Sequence, residues 1–292
     1  MEETMIGRGR DAIQMIVDDG SFFENTVGTE RFDPDYGSGA VVGTACVGQT
    51  TVTMIANDAE AVSDRFPVVY FGVIGMEEAY KMALAVYATI DTDKDKPISE
   101  KRPFVLVVDT PGNAPGKVEE IFGMNKATGA YQLALAQARK CGHPIVAIVI
   151  GRAISGAFLC HGLQADHILA LPKQFGTVIH VMPLSSISRI TKIDIEQLEE
   201  LSVDSPVFAS GVEFFYRLGG IEEIVPSPEE MSAVIARHIA EIRFCKENGQ
   251  NEKTGPCGRG LLGAERKGRI ARPMVLAKMK EEFCKVAGQY LK

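Results

Sequence analysis

The sequence contains no uninterrupted stretch of apolar residues long enough to cross a membrane, which would need about 20 residues. Its N-terminal residues, MEETMIGRGRDAIQ, are charged and lack the apolar region of a secretory signal peptide. We therefore expect no transmembrane segment and a cytoplasmic protein.

The sequence also lacks a Cys-x-x-Cys pair. In a chain of 292 residues, which can build a large core without disulfides, the scattered cysteines are interpreted as reduced thiols. The nearest grouping of metal-ligating residues, Cys160 with His161 and His167, does not match the spacing of structural zinc sites, so no metal site is predicted. The six cysteines are Cys46, Cys141, Cys160, Cys245, Cys257 and Cys284.

The chain has fewer basic residues than acidic ones. The chain has 31 Lys and Arg against 38 Asp and Glu, a formal net charge of −7. Such a surface repels phosphate backbones and anionic lipids, so nucleic acid is not an expected partner.

Motifs for nucleotides and calcium are also missing. Neither a G-x-x-x-x-G-K-S/T loop nor a G-x-G-x-x-G fingerprint follows a strand. The stretch from Asp91 begins like a calcium loop, but Lys96 and Arg102 stand where glycine and a bidentate glutamate are needed. A solvated loop is the favoured interpretation.

What the chain does have is an alternation of strand-like and helix-like segments, with 46% hydrophobic and 24% charged residues. This pattern predicts a globular α/β protein with a parallel sheet. Gly48 and Gln49 separate the first two strands, as in a hairpin. Strands are predicted at 38–47, 50–58, 104–109, 144–150, 167–172 and 177–182, and helices at 8–18, 76–90 and 118–140, the last with an alanine stripe at Ala130, Ala134 and Ala138.

The C-terminal part is interpreted as an extension of this domain. A helix is predicted over 228–246. Residues 247–272 contain six glycines and no apolar period, which is typical of a mobile connection. A last helix, from about 273 to 290, is interpreted as an interaction arm.

Two turns at the ends of buried strands are candidate site elements, because open α/β sheets bind ligands there. The first, VVDTPGNAPG, includes two Pro-Gly pairs, Pro111-Gly112 and Pro115-Gly116, that predict a rigid exposed loop. A plain strand-to-helix connection would explain the same residues.

The second turn, GRAISGAF, leads from a strand into a helix. The free N–H groups of Gly156 and Ala157 would face an anion at the start of that helix, which makes them candidates for an oxyanion hole. An aligned donor of this kind stabilises a developing oxyanion by about 3–4 kcal/mol. A helix start without a ligand is the alternative.

Ser155 in the same turn and His180 on a later strand are the residue types of a nucleophile and its base. The G-x-S-x-G elbow of α/β-hydrolases is absent, since Ala153 and Ala157 occupy its glycine positions.

Three segments, in their order along the chain, resemble carboxyltransferases that act on acyl thioesters. They are MIVDDGSFFEN, VVDTPGNAPGKVEEIFG and HPIVAIVIGRAISGAF. HPIVAIVIGRAISGAFLCHGLQADHILALP followed by GTVIHVMP resembles the gamma subunits of malonate decarboxylases, and the likeness covers roughly residues 8–225. The resemblance implies a crotonase/ClpP-like ββα spiral: a single domain over 8–246, a Gly-rich connection over 247–272 and a C-terminal helix over 273–292.

The resemblance also implies a reaction. In that family a beta and a gamma subunit each supply one crotonase-like domain of an interfacial site. Malonyl carried on the prosthetic group of an acyl carrier protein becomes acetyl. Its carboxyl group leaves directly as carbon dioxide or passes to biotin on a biotin carboxyl carrier protein. This chain itself would bind no cofactor.

Carried over by position, the resemblance makes Gly156 and Ala157 donors to an oxyanion and Gly75 and Met76 candidates for a complementary pair. It places Pro111, Gly112 and Gly116 in the wall of the site. Many biotin-dependent relatives have an aspartate three residues after the glycine that matches Gly156. Leu159 occupies this position here, which argues against biotin.

Two alternatives stay open. Clp-type peptidases share the fold, GRAIS is similar to their nucleophile turn, and Ser155 and His180 lie twenty-five positions apart, much as in those enzymes. Asp204 or Glu229 would have to orient the histidine, although neither lies in a recognisable motif. A noncatalytic scaffold that completes a partner's site is the second alternative.

Overall fold

The computed structural model describes residues 3–64, 66–67, 69–204 and 211–290, with residues 202–204 described by their backbone alone. Within these ranges no helix combines the length and the apolarity needed to cross a membrane.

The first two long strands form the predicted hairpin. Strand β4 (Ala40–Val47) runs antiparallel to β5 (Thr50–Asn57), with Val47 opposite Thr50. Gly48 and Gln49 both have positive φ, as a two-residue hairpin turn requires. The Asp18 carboxylate accepts hydrogen bonds from their N–H groups at 2.9 and 2.8 Å and holds the turn.

The hairpin continues into a largely parallel sheet in the order β1-β4-β5-β6-β7-β8-β10, in which β9 pairs with the carboxyl end of β7. The fold is therefore the α/β class predicted. The remaining strands are β1 (Phe23–Glu24), β2 (Thr26–Val27), β3 (Glu30–Arg31), β6 (Phe104–Thr110), β7 (Ile145–Ile154), β8 (His167–Ala170), β9 (Val178–His180) and β10 (Glu223–Ile224).

Strand β7 is longer than predicted because it changes partner along its length. Residues 146–149 pair with β8, and residues 152–154 pair with β9. Its register with β6 also shifts between Val108 and Thr110. The end of β7 therefore pairs with β9 instead of β8, and the GRAISGAF turn begins in this part of the strand.

Helices cover both faces of the sheet, since side chains of a strand alternate between its two faces. Leu106 of β6 belongs to the core cluster beneath α2 and α4, whereas Val105 belongs to the cluster beneath α1 and α9. The α-helices are α1 (Gly9–Ile16), α2 (Met76–Thr92), α3 (Lys117–Phe122), α4 (Met124–Lys140), α5 (Ser155–Cys160), α6 (Leu184–Thr191), α7 (Ile195–Asp204), α8 (Val212–Arg217), α9 (Met231–Glu247), α10 (Gly255–Glu265) and α11 (Ala271–Val286).

The helix predicted over 118–140 is two helices, α3 and α4. Gly123 adopts φ +96 and ends α3, because a left-handed residue cannot continue a right-handed helix. The alanine stripe lies on α4 as predicted: Ala134 and Ala138 are fully buried where α4 packs beside α2.

The glycine-rich segment 247–272 is predicted to be a mobile connection. In the structure it instead contains the helix α10. Gly258, Gly260 and Gly263 are buried. A Cβ on Gly263 would overlap the carbonyl of Leu218, so glycine here permits close packing of two backbones rather than flexibility. The division of the chain into domains stays a prediction.

Arg259 joins α10 to the rest of the chain through hydrogen bonds. Its guanidinium donates to the carbonyls of Ala165 at 2.7 Å and Leu163 at 2.8 Å, and the residue is 6% exposed. Helix α11, in contrast, has no buried residue, and it exposes Met274, Met279 and Phe283 among others. Its interpretation as an interaction arm stays a prediction.

We expect Arg259→Met to lower the free energy of unfolding by about 2–4 kcal/mol, because it leaves buried carbonyls without donors. Urea denaturation monitored by circular dichroism measures the effect. Lys253→Met, at an exposed position just before α10, is the matched control and should change stability by less than about 0.5 kcal/mol. Equal effects of the two substitutions would contradict the role given to Arg259.

Candidate active site

A cavity of about 530 Å³ opens at the carboxyl ends of β6 and β7. Both predicted turns reach it, as expected for parallel strands that end at one edge of a sheet. Its lining comprises Tyr70, Phe71, Val73, Pro111, Gly112, Asn113, Ala114, Pro115, Glu120, Met124, Arg152 and Ser155.

The turn after β6 is held by backbone hydrogen bonds to Ile74. The Ile74 N–H donates to the carbonyl of Gly112 at 3.1 Å, and the Ala114 N–H donates to the carbonyl of Ile74 at 3.0 Å. Pro111 and Gly112 line the cavity, and their role in the wall of the site stays a prediction. Gly116 lies outside this lining, where it precedes α3 and is exposed.

The turn after β7 presents Ser155 to the cavity in a left-handed conformation with φ +56, which is uncommon for a residue other than glycine. Helix α5 begins at this residue. The N–H groups of Gly156 and Ala157 are in its first turn, where the helix provides no carbonyl to accept from them. Ser155 lines the cavity, whereas Gly156 and Ala157 follow it in the turn and lie outside the lining.

The two turns approach each other closely at Gly156. A Cβ on this residue would overlap Oδ1 of Asn113, and a Cβ on Gly112 would lie 3.9 Å from the Cβ of Ser155. Any larger residue at position 156 would displace the Asn113 side chain from the turn after β6.

Beneath the cavity, Asp109 at the end of β6 pairs with Arg152 near the end of β7. The Asp109 carboxylate is 1% exposed and accepts from Nε and Nη2 of Arg152 at 2.9 and 3.1 Å. It also accepts from the backbone N–H of Gly7 at 2.7 Å. The Arg152 guanidinium further donates to the carbonyl of Phe71 at 3.1 Å.

This ion pair was missed by the sequence analysis, although a signal for it exists. A carboxylate ends the apolar run FVLVVD, and an arginine follows the run PIVAIVIG. Opposite charges at the same ends of two adjacent buried strands would be expected to pair. Asn113 and Tyr70 of the lining were also missed, and nothing in their sequence context distinguishes them.

Gly75 and Met76 do not line this cavity. Gly75 precedes α2, and the Glu78 carboxylate folds back so that a Cβ on Gly75 would lie 2.6 Å from its Oε2. Burial raises the pKa of Glu78, while hydrogen bonds from the N–H groups of Gly39 and Gly75 act in the opposite direction. The Glu78 side chain thus packs against the backbone of Gly75 at the start of α2.

Met76 faces a neighbouring cavity of about 480 Å³ that also touches Tyr80 and Phe122. A larger cavity, of about 770 Å³, lies between the β2–β3 hairpin and α2 around Lys81. It contains none of the predicted site residues.

Ser155 and His180 are near each other in the fold without forming a catalytic pair in the part of the chain that is described. His180 on β9 stands in register with Ile154, but no hydrogen bond joins its ring to Ser155. Its Nδ1 is buried without a partner there, and burial lowers its pKa.

Of the two proposed orienting acids, only Glu229 has a described side chain, and no contact joins it to His180. Glu229 is exposed and is hydrogen bonded to Ser227, which lowers its pKa. The side chain of Asp204 lies outside the described residues. Among the described side chains, Ser155 and His180 thus do not form the hydrogen-bonded pair that a Clp-type peptidase needs.

Comparisons with known proteins agree with this geometry. The family model for the malonate decarboxylase gamma subunit matches residues 71–282. Malonyl-S-ACP:biotin-protein carboxyltransferase MADD of Malonomonas rubra is 62% identical over 290 residues, which cover 99% of both chains.

Solved structures give the same result for the fold. A chain of the Pseudomonas malonate decarboxylase hetero-tetramer in complex with coenzyme A superimposes with a TM-score of 0.69 at 27% identity, covering 94% of this chain and 99% of that one. The transcarboxylase 12S structure, at 21% identity, has a TM-score of 0.62 over 80% of this chain and 40% of that one. The fold is thus that of the crotonase-like carboxyltransferases, and the chain belongs to the malonate decarboxylase gamma subunit family.

Proposed function

We propose that this chain, together with a beta subunit, transfers the carboxyl group of malonyl-S-acyl carrier protein to biotin on a carrier protein. The observation that carries the proposal is the turn Ser155–Ala157: Ser155 lines the cavity and the next two N–H groups lie in the first turn of α5, in a chain 62% identical to a malonyl-S-ACP:biotin-protein carboxyltransferase. The relative's activity supports the biotin branch even though Leu159 replaces the aspartate of other biotin-dependent enzymes.

A second subunit is part of the proposal because the Pseudomonas structures are a hetero-dimer and a hetero-tetramer. This chain offers one donor turn at the cavity, since Gly75 and Met76 do not line it. A carboxyl transfer develops negative charge first on the thioester oxygen of the donor and then on the acceptor. Two sets of donors are therefore needed, and the partner would supply the other.

In the proposed reaction the bond between the α-carbon and the carboxyl group of malonyl breaks, and its electron pair forms the enolate of the acetyl thioester. The carboxyl carbon bonds to a ureido nitrogen of biotin, whose proton ends on the α-carbon. Gly156 and Ala157 hold one oxyanion in a fixed position. Because backbone N–H groups need no reorientation during the reaction, their stabilisation of the charge is available in the transition state.

Arg152 contributes a fixed positive charge to the same cavity. The transferred carboxyl group is an anion in both substrate and product, so a cation in the wall favours its retention. Pairing with Asp109 and donation to the Phe71 carbonyl hold the guanidinium in place. We assign Arg152 to orienting the carboxyl group.

The assembled complex, supplied with malonyl-S-acyl carrier protein labelled in its free carboxyl group and with the biotinylated carrier, tests the function. We expect the label to appear on the carrier and avidin to block its transfer. Release of labelled carbon dioxide at the same rate without the carrier would contradict the biotin branch.

Gly156→Val should lower the rate of carboxyl transfer by about 100-fold or more, because the new side chain displaces Asn113 and disturbs the donor turn. Gly129→Val is the matched control, since a Cβ at that exposed position of α4 meets nothing within 4 Å. Co-purification with the beta subunit checks assembly of both variants. Full activity of an assembled Gly156→Val complex would refute the donor assignment and favour the noncatalytic scaffold.

Ser155→Ala should retain at least about a tenth of the transfer rate, because the described structure gives the hydroxyl no base. Steady-state kinetics of the complex measures this. Total loss of transfer, together with peptide hydrolysis by the unsubstituted chain, would instead indicate the serine peptidase.

Arg152→Lys should lower kcat/KM for malonyl-S-acyl carrier protein by about tenfold or more, because an ammonium group cannot pair with Asp109 in two places and also donate to Phe71. Charge is retained, so folding should be preserved. Arg8→Lys, in a surface ion pair with Asp11, is the control and should leave the kinetics unchanged. Unchanged kinetics of the Arg152→Lys variant would refute the role of Arg152 in orienting the carboxyl group.

A further inference from the structure

Two buried histidines meet at the opposite end of the sheet from the cavity. His167 opens β8 and His238 lies in α9, and their Nδ1 atoms are 2.8 Å apart. They are 8% and 3% exposed. Nε2 of His238 lies 3.1 Å from Oε2 of Glu223 and, by donating to it, leaves the Nδ1 of His238 with a free lone pair.

A carboxylate completes the cluster. Glu241 follows His238 by three positions on α9, so both side chains leave the same face of the helix. Its Oε2 lies 3.6 Å from Nδ1 of His238, and single ligand atoms of His167, His238 and Glu241 all fall within 4.8 Å of one another.

Two imidazole nitrogens and one carboxylate oxygen are a donor set that zinc binds, with bonds of about 2.0–2.2 Å. At these lengths neighbouring ligands of a tetrahedral ion lie about 3.3 Å apart. The two Nδ1 atoms would thus have to separate by about half an ångström. Glu241 is on the solvent side, which gives an ion a route to the buried rings.

Charged groups of both signs surround the cluster, and Arg237 pairs with both of its carboxylates, with Glu223 at 2.7 Å and with Glu241 at 3.1 Å. The carboxylates of Glu223 and Glu241 face it, whereas Arg259 and Lys246 act on His167 as positive charges. Lys246 has its own partner in Asp166 at 3.2 Å. Burial lowers the pKa of both histidines, that of His167 to about 3, which favours the neutral imidazole form that a metal ligand needs.

We propose that His167, His238 and Glu241 form a zinc site that joins β8 to α9, with Glu223 orienting His238 and a water molecule in the fourth position. The ion replaces the hydrogen bond between the two Nδ1 atoms. The proton that His167 holds on Nδ1 in that bond moves to Nε2, so both rings stay neutral and no other proton is transferred. Since the site is remote from the cavity, its role is structural.

This cluster differs from the grouping of Cys160, His161 and His167 that the sequence offers as possible metal ligands. Cys160 Sγ lies 3.2 Å from the carbonyl of Ala157, and the His161 ring pairs with Tyr131 and the carbonyl of Val107. Only His167 of that trio belongs to the cluster, and its partner lies 71 positions further along the chain.

The test uses the assembled complex without a histidine tag, stripped with a chelator and with accessible cysteines alkylated, because exposed thiols such as Cys257 and Cys284 are zinc ligands when deprotonated. Zinc is titrated while bound metal is counted by mass spectrometry and thermal unfolding is followed. We expect about one tightly held zinc per copy of this chain and a higher unfolding temperature.

Glu241→Gln should weaken zinc binding by about tenfold or more, and Glu223→Gln by about 10–100-fold. Glu247→Gln, an exposed carboxylate later on the same helix, is the matched control and should bind zinc normally. Cobalt(II) in place of zinc should give the visible absorption of a tetrahedral site, lost in Glu241→Gln.

Two results would overturn the proposal. Failure of the stripped complex to bind zinc would leave the two histidines as a hydrogen-bonded pair. Equal binding by Glu241→Gln and the unsubstituted chain would place the ion elsewhere. Neither result bears on carboxyl transfer, which we expect to continue in the metal-free complex.

Discussion

The candidate site depends on the buried ion pair between Asp109 and Arg152. The Asp109 carboxylate accepts hydrogen bonds from Arg152 and from the N–H of Gly7, so one group joins β6, β7 and the N-terminal segment. A buried carboxylate without these partners would cost several kcal/mol. The carboxyl ends of the two central strands are thereby held together, and both cavity turns start from this fixed edge.

As a consequence, the two turns at the cavity are held in fixed positions before any substrate binds. Gly156 lets the turn after β7 approach Asn113, and backbone hydrogen bonds to Ile74 fix the turn after β6. Donors held in this way stabilise developing charge without reorganising. A chain with one such turn at its cavity is suited to supply half of a carboxyltransferase site.

The second half of the chain depends on packing that small residues permit. In α10, glycines allow backbone contact with the turn at Leu218, and Arg259 caps carbonyls of the segment before β8. His167, at the start of β8, is in turn brought against His238 of α9. The glycine-rich segment, which the sequence predicts to be mobile, therefore packs against the domain near β8.

The sequence by itself determined the hairpin, the buried strands, most helices and the position of Pro111, Gly112 and Ser155 at the cavity, because periodicity and turn residues act locally. Only the tertiary structure decided that Arg152 pairs with Asp109, that the Glu78 side chain packs against Gly75 and that α10 is a packed helix. These outcomes depend on side-chain geometry and on contacts whose energy comes from burial after the chain has folded, and no local pattern encodes them.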